Sequence, residues 1–293
     1  MAARTEGAAG TTARLPRRGR DGRGTSLEQA LLAGLGEVVE RDAAAVWWAN
    51  AAPLPRLPLS ARIRALLGPM LETHEVTLAH IDNDFAIPVL AACVRTRAEG
   101  WLTIGFAARA DPEAAALKAL AEAFALQLTC RALDDPAAAA HIAGGFTDRR
   151  NPLKGHGRSS PWRGHRPGDR GTAAGDTGAR CRPVRLRGSR SDRPGPAAIW
   201  TQVPRVPGGT LGTLRARGEA AGHEVLYADL TTRQARAAGM RVVRVIVPGM
   251  IGTAPACCPY FGGRRVRDQG VTLGWRRTPL TVEQMNTFPM PHA

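Results

Sequence analysis

The segment from Ser26 to Asn50 reads SLEQALLAGLGEVVERDAAAVWWAN and has the clearest periodicity in the chain. Leu and Val recur in it at the three- and four-residue spacing of one helix face, so we predict a helix over residues 26–49. Thr25 or Ser26 has the polar side chain that a helix N-cap prefers. The face opposite the Leu and Val residues is built largely of Ala and Gly, which lets another group approach the helix backbone closely.

Three charged residues stand on this face of small side chains. Glu37, Glu40 and Arg41 are spaced i, i+3 and i+4, so their side chains lie next to one another on the helix. Carboxylates bind Mg²⁺, and an arginine binds phosphate oxygens through its bidentate guanidinium. The three residues therefore fit a metal-bound nucleotide, and the same spacing also fits an exposed Glu–Arg pair on a solvated helix.

The net charge of +15 is concentrated in two segments. Between residues 148 and 193, thirteen Lys or Arg stand against four Asp, and residues 1–25 hold six Arg against two acidic residues. Both segments lack apolar periodicity, so they cannot bury enough surface to offset the entropy cost of ordering the chain. We therefore predict a disordered basic N-terminus over residues 1–25 and a disordered Arg/Gly/Pro-rich insert over residues 143–198.

The basic insert has two explanations. Translation of a GC-rich gene in a shifted reading frame gives this composition, whereas a genuine tether of this kind would bind RNA or an acidic partner. Tethers that bind single-stranded RNA interleave aromatic side chains with arginine so that bases can stack, and Trp162 is the one aromatic residue between positions 148 and 193. We therefore expect no specific nucleic-acid ligand.

Outside these segments, residues 26–142 and 199–293 carry regular strand and helix patterns. Asp111 and Pro112 introduce a second long helix, and Thr231 or Thr232 caps a short one. Because strands and helices are mixed without strict βαβ alternation, we predict an α/β or α+β fold in which helices cover a sheet. Runs rich in β-branched or aromatic residues predict the strands, which fall within residues 76–84, 85–96, 100–108, 223–230 and 241–249.

The sequence indicates a cytoplasmic protein. Its five cysteines include no CxxC pair, and we interpret the adjacent Cys257 and Cys258 as reduced thiols in preference to metal ligands. No segment reaches the roughly 18 to 20 apolar residues of a membrane span, and the N-terminal residues lack the apolar core of a signal peptide. We therefore expect no membrane partner.

Four motifs, in order along the chain, resemble those of YcaO-domain proteins. The first is the A-x-x-x-G-L-x-E-x-x-E-R core from Ala30 to Arg41, a helix that binds ATP through Mg²⁺ in that family. The second is the D-P-x-x-A…A-L-x-E-A helix, with Glu122 at its acidic position. The third is the D-L-T-T…A-G-x-x-V-V-R-V-I-V-P-G segment, and the fourth is the proline-rich tail that begins at Asn286. The resemblance covers roughly two thirds of the chain.

The resemblance implies a YcaO-like sheet layered with helices and, more narrowly, a component of a thiazole/oxazole-modified microcin cyclodehydratase of bacteriocin biosynthesis. Such proteins use ATP and Mg²⁺ to phosphorylate a backbone amide oxygen in a ribosomal precursor peptide. Loss of phosphate then leaves an azoline ring at a Cys, Ser or Thr residue. The implied partners are the precursor peptide and a leader-binding protein.

The resemblance also assigns roles on the first helix. Glu37 and Glu40 would ligate Mg²⁺, and Arg41 would contact phosphate. Gln29 stands where family members commonly have a further glutamate, so this position would be a weaker ligand, because an amide oxygen lacks the carboxylate charge.

Three further residues are assigned from the other motifs. Arg244 is the single charge within VVRVIVPG and is predicted to make a second phosphate contact. Pro289 and Pro291 keep the tail extended, so the tail can enter the catalytic site and help to order it.

The chain also departs from the family pattern. Family members place an N-terminal half before the first helix, with another glutamate-bearing helix that forms the opposite wall of the ATP site, and only residues 1–24 stand there in this sequence. We therefore expect an incomplete, truncated YcaO fold. The alternative function is a catalytically inactive scaffold that docks a leader-binding partner, and thioamide formation is a further amide reaction known in the family.

Overall fold

The computed structural model describes residues 20–134, 199–252 and 263–286, which contain seven strands and eight α-helices. The strands are β1 (Arg20–Gly24), β2 (Arg56–Leu57), β3 (His74–His80), β4 (Val89–Thr96), β5 (Leu102–Ala108), β6 (Leu226–Asp229) and β7 (Arg241–Ile246). The helices are α1 (Leu27–Asn50), α2 (Ala61–Leu67), α3 (Met70–Thr73), α4 (Pro112–Asp134), α5 (Ile199–Gln202), α6 (Leu211–Ala220), α7 (Arg233–Ala237) and α8 (Arg265–Thr272). Single 3₁₀ turns span Pro207–Gly209 and Val282–Gln284.

Helix α1 lies between two antiparallel sheets. The larger sheet has the strand order β2-β3-β4-β5, and the smaller one has the order β1-β7-β6. One face of the larger sheet packs on the alanine-rich side of α4, and its other face packs on α1. Val243 and Val245 of β7 cover α1 from the smaller sheet. The prediction of mixed strands and helices, with helices layered on a sheet, is confirmed.

The glycines and alanines of α1 admit the smaller sheet. A Cβ atom at Gly22 of β1 would lie 1.9 Å from the Ala30 carbonyl oxygen and 2.5 Å from the Gly34 nitrogen. A Cβ atom at Gly34 would lie 2.7 Å from Cγ2 of Val245. These separations are too short for any side chain, so the group that approaches the helix backbone closely is the chain's own β1–β7 pair.

The prediction that all of residues 1–25 are disordered was wrong for Arg20–Gly24. These five residues form β1, which pairs antiparallel with β7 and places Gly22 opposite Val243. Two glycines and two arginines give little intrinsic strand preference, so this strand depends on a partner that lies more than two hundred residues further along the chain. Residues 1–19 lie outside the described part of the chain.

Several local predictions are confirmed. Helix α1 begins after Ser26, whose hydroxyl accepts a hydrogen bond of 3.2 Å from the Gln29 backbone nitrogen. Helix α4 begins at Pro112, the predicted strand runs contain β4, β5, β6 and β7, and the run over 76–84 overlaps β3. The predicted insert over 143–198 and the Cys257–Cys258 pair fall outside the described residues. Helix α5 begins directly after the insert. No helix in the described ranges is long and apolar enough to cross a membrane.

A C-terminal module, residues 263–286, docks on the second half of α1. The Asn50 amide donates a hydrogen bond of 2.8 Å to the Val266 carbonyl, and the Asn286 backbone nitrogen donates one of 2.8 Å to the Ala49 carbonyl. Ala49, Val266, Leu280 and Met285 form a small apolar cluster at this contact. Helix α1 therefore contacts both sheets and the C-terminal module.

Candidate functional site

Helix α1 brings Glu37, Glu40 and Arg41 together, as their spacing predicts. The Arg41 guanidinium Nε donates to Glu37 Oε1 at 2.7 Å and lies 3.7 Å from Glu40 Oε1. Glu40 is only 3% exposed, and its Oε2 accepts a hydrogen bond of 3.2 Å from the backbone nitrogen of Ala108 at the end of β5. The alternative of a solvated Glu–Arg pair is therefore wrong for Glu40.

A third carboxylate acts on Glu40 from α4. Helix α4 can lie close to β5 because residue 105 is glycine, and a Cβ atom there would be 2.0 Å from the Ala119 carbonyl and 3.0 Å from Glu122 Cβ. The Glu122 carboxylate pairs with Lys118 at 2.5 Å and also raises the pKa of Glu40. Glu122 stands at the acidic position of the second motif, but no local pattern in the sequence predicts that it lies near Glu40.

The pKa of the Glu40 carboxyl is strongly raised. Burial and the neighbouring carboxylates of Glu37 and Glu122 raise its pKa from 4.5 to about 8, although Arg41 and the Ala108 amide act in the opposite direction. Its Oε1 atom is buried without a hydrogen-bond partner. A buried carboxylate with an unsatisfied oxygen is costly, unless it binds a proton or a cation.

Gln29 lies away from these three residues. Its side-chain oxygen accepts hydrogen bonds from the backbone nitrogen of Thr25, at 3.1 Å, and from the Thr25 hydroxyl, at 2.7 Å. It precedes Glu37 by eight positions, which corresponds to about 12 Å along the helix axis. The structure thus places Gln29 at the cap of α1, and its predicted role in cofactor binding stays a prediction.

Arg244 is on the opposite face of the smaller sheet from α1. Its guanidinium forms two hydrogen bonds with the Asp21 carboxylate of the neighbouring strand, at 2.8 and 3.2 Å. Because side chains alternate along a strand, the burial of Val243 and Val245 against α1 directs Arg244 away from the helix. The phosphate contact of Arg244 stays a prediction from the sequence; the geometry favours the pairing with Asp21, and a comparison of arginine variants below decides between the two. Pro289 and Pro291 lie outside the described residues.

The family model described as YcaO cyclodehydratase, ATP- and Mg²⁺-binding, matches residues 22–251, which is well over half of the chain. The chain belongs to the YcaO family. The matched region begins within β1 and extends beyond β7. It includes α1 and the predicted basic insert.

Several individual proteins are similar to this chain. The solved structure of the heterocyclase TruD is 26% identical, with a TM-score of 0.66, and the match covers 92% of this chain and 34% of that one. A heterocyclase in complex with substrate and cofactor is also 26% identical, with a TM-score of 0.64, and the match covers 92% and 32% of the two chains. An uncharacterised protein of Methanothermobacter thermautotrophicus is 28% identical over 254 residues.

This YcaO chain spans only part of the length of these relatives. It covers about a third of each heterocyclase chain and 57% of the archaeal protein. The activity, substrates and partners of the longer proteins are therefore taken up below as proposals for this chain.

The residues around Glu40 fit a magnesium ion that arrives with a nucleotide. The described residues contain no group of three or more His, Cys, Asp or Glu side chains that could hold a metal ion by themselves. Mg²⁺ is usually bound through one or two carboxylates together with substrate phosphates, so an all-protein cage is not needed. Glu40 Oε1 supplies an unsatisfied hard oxygen in a site crowded with negative charge. A cation there would relieve both features.

The stability of the metal-free protein should fall as pH rises from about 5 to 8. The pKa of Glu40 is about 8 in the folded protein and 4.5 ordinarily, so the folded state holds the extra proton throughout this interval. Unfolding then releases that proton, and the free energy of unfolding decreases with pH by an amount on the order of a few kcal/mol. Urea titrations in EDTA at several pH values measure this slope.

The matched variant is Glu40→Gln, which keeps the shape of the side chain and cannot titrate. We expect its stability to change less than that of the wild type across the same interval. Parallel curves for the two proteins would show that Glu40 does not hold a proton near neutral pH.

Proposed function

We propose that this chain carries the ATP-binding part of a YcaO cyclodehydratase that forms azoline rings in a ribosomal precursor peptide. The observation that carries the proposal is the buried Glu40 carboxylate, with one unsatisfied oxygen, beside Glu37, Arg41 and Glu122. The family description of ATP and Mg²⁺ binding and the similarity to heterocyclases support it.

Each residue of the site has a separate role in this proposal. Glu37 and Glu40 would hold Mg²⁺, which would neutralise charge on the phosphates, and Glu122 adds negative charge close to Glu40. Arg41, held by Glu37 at 2.7 Å, exchanges this partner for a phosphate oxygen. The protein thus positions the γ-phosphate and stabilises developing charge, and this is most of what phosphoryl transfer requires.

The reaction balances as an ATP-driven dehydration. A Cys, Ser or Thr side chain of the peptide attacks the preceding carbonyl carbon and loses its proton to solvent or a base. The former amide oxygen then takes the γ-phosphoryl group and releases ADP. Departure of phosphate, with loss of the amide proton, leaves the C=N bond of the azoline.

The described chain ends on the helix that carries this proposed site. The structure describes the chain up to Asn286, which is hydrogen-bonded to Ala49, and Ala49 lies nine positions beyond Glu40, or about 14 Å along the helix. Seven residues follow Asn286 in the sequence, and an extended proline-type chain of that length spans about 22 Å. We propose that Pro289 and Pro291 reach the site in this way.

The proposal is tested with the purified chain, Mg²⁺, ATP and Cys-, Ser- or Thr-rich peptides encoded beside its gene, with and without candidate leader-binding proteins. Mass spectrometry should detect the loss of one water molecule per ring, together with formation of ADP. Binding of Mg²⁺ and ATP without any peptide modification would contradict the cyclisation step. Absence of nucleotide binding would support the alternative of an inactive scaffold.

A comparison of two arginines tests the location of the phosphates. Arg41→Met should weaken binding of the ATP analogue AMPPCP with Mg²⁺ by about tenfold, because a charge-assisted contact to phosphate is lost. Arg244→Met should leave the dissociation constant unchanged, because that side chain pairs with Asp21 on the outer face of the sheet. Isothermal titration calorimetry measures both. Equal weakening in the two variants would place Arg244 in the ATP site.

A further inference from the structure

A second cluster of charged residues lies on α1, outside the proposed ATP site. Asp42 follows Arg41 directly and is only 1% exposed. Its Oδ1 accepts hydrogen bonds from Nε of Arg265, at 2.6 Å, and from the Ile251 backbone nitrogen, at 2.8 Å. Its Oδ2 accepts a second bond from the same guanidinium, at 2.5 Å. Arg265 thus binds Asp42 in the two-pronged geometry that fixes both distance and orientation.

The same arginine also binds the loop after β3. Its remaining terminal nitrogen donates to Asp84 Oδ2 at 2.9 Å, and His223 Nε2 lies 3.0 Å from that oxygen. The Gln269 amide donates to the other oxygen of Asp84. Burial would raise the pKa of Asp84, but Arg265 and His223 outweigh it and hold the pKa below its usual range. One guanidinium therefore joins α1, the loop after β3 and α8.

Arg265 is the first residue of α8 and the only ionic connection between the C-terminal module and α1 among the described residues. The module also contacts α1 through the two backbone-carbonyl hydrogen bonds at Ala49 and Asn50 and through a small apolar cluster. Apolar contacts tolerate sliding, whereas a guanidinium held by two carboxylates has one favourable position. A buried ion pair is weak evidence for net stability, because desolvation of the charges offsets their attraction, so we assign this network a geometric role.

We propose that Arg265 is a positioning residue, which fixes the position of the C-terminal module on α1 through Asp42 and Asp84. It thereby sets where residues 287–293 begin relative to Glu37 and Glu40. The inference rests on the proposed function, because the position of the tail matters only if the tail takes part in peptide modification. Asp42 and Glu40 lie within one turn of the same helix. The C-terminal module is therefore held on the helix that carries the residues of the proposed ATP site. Displacement of a catalytic segment by about 1 Å can cost about a hundredfold in rate.

The test compares Arg265→Met with Arg264→Met. Arg264 is the adjacent arginine, is highly exposed and pairs only with Asp268 on its own helix among the contacts described, so it is a matched control. Hydrogen exchange followed by mass spectrometry should show exchange about tenfold faster in residues 264–286 of Arg265→Met, with the strands of the larger sheet unchanged. Arg264→Met should match the wild type.

Kinetics separate positioning from a general loss of structure. Arg265→Met should lower kcat for peptide modification by about a hundredfold, while KM for ATP and the dissociation constant of AMPPCP with Mg²⁺ stay unchanged. Arg265→Lys, which keeps the charge but cannot bridge both carboxylates, should recover part of kcat. If Arg265→Met does not fold, Asp84→Asn removes one carboxylate charge and leaves the Asp42 contact, and it should show the same pattern with smaller changes.

Two outcomes overturn the inference. Unchanged exchange in residues 264–286 would show that Arg265 does not hold the module, and a joint loss of ATP affinity and kcat would show that it supports the ATP site instead of the tail. Failure of the proposed function looks different. A wild-type protein that binds AMPPCP but modifies no peptide refutes the reaction, and the exchange comparison then still decides whether Arg265 seats the module.

Discussion

Replacement of Gly22 by alanine is expected to lower the free energy of unfolding by about 3 kcal/mol, the upper end of what overpacking commonly costs. The added methyl group would lie 1.9 Å from the Ala30 carbonyl oxygen and 2.5 Å from the Gly34 nitrogen. Both atoms belong to the backbone of α1, so no side-chain rotation relieves the clash. Strand β1 must move away from the helix or detach. Urea unfolding followed by circular dichroism measures the change.

Gly36→Ala is the matched control, because it adds the same methyl group to α1. The nearest atom there is the Ala108 carbonyl oxygen at 3.7 Å, an ordinary contact. Alanine is favoured over glycine within a helix, so this variant should gain about 0.5 to 1 kcal/mol. Equal effects of the two substitutions would show that β1 does not press on α1 as the structure describes.

Replacement of Glu40 by glutamine is expected to lower ATP-dependent turnover by about 10²- to 10³-fold, the scale of removing one electrostatic contact to a transition state. The amide retains the hydrogen bond from Ala108 and the shape of the side chain, but it cannot balance the charge of Mg²⁺. Above pH 8 the variant should be more stable than the wild type in EDTA, because it removes a buried negative charge from between Glu37 and Glu122. Loss of activity with gain of stability is typical of a residue kept for function.

Glu75→Gln provides the control for this loss. Glu75 is an exposed residue of β3, paired with Arg97 at 3.3 Å, so its removal should change neither turnover nor stability beyond a few tenths of a kcal/mol. Coupled measurement of ADP release and thermal unfolding compares all three proteins. Full activity in Glu40→Gln would exclude Glu40 as a ligand for Mg²⁺.

Much of the local structure could be predicted from the sequence. Helix α1, its Ser26 cap, α4 with Pro112 at its start and the strand β7 all follow from periodicity and terminal residues, which report local geometry. The proximity of Glu37, Glu40 and Arg41 follows from helix geometry alone.

Long-range relationships could not be predicted in the same way. The sequence shows three charged neighbours on one helix, but the burial of Glu40 depends on β5 and α4, which approach it at Ala108 and Gly105. The network of Asp42, Asp84 and Arg265 joins residues up to 223 positions apart and has no local pattern. A contact of that kind leaves no periodicity, so one sequence by itself cannot reveal it.

The pairing of β1 with β7 has a consequence for the order of events during synthesis. Arg20 pairs with Val245, so β1, an edge strand of the smaller sheet, is synthesised long before its partner β7 leaves the ribosome. Translation proceeds at about 5 to 20 residues per second, so α1 waits roughly ten seconds or more with its glycine face uncovered. Closing so distant a contact is intrinsically slow. During that delay the glycine face of the nascent helix stays uncovered, although the residues around Glu40 have already been made.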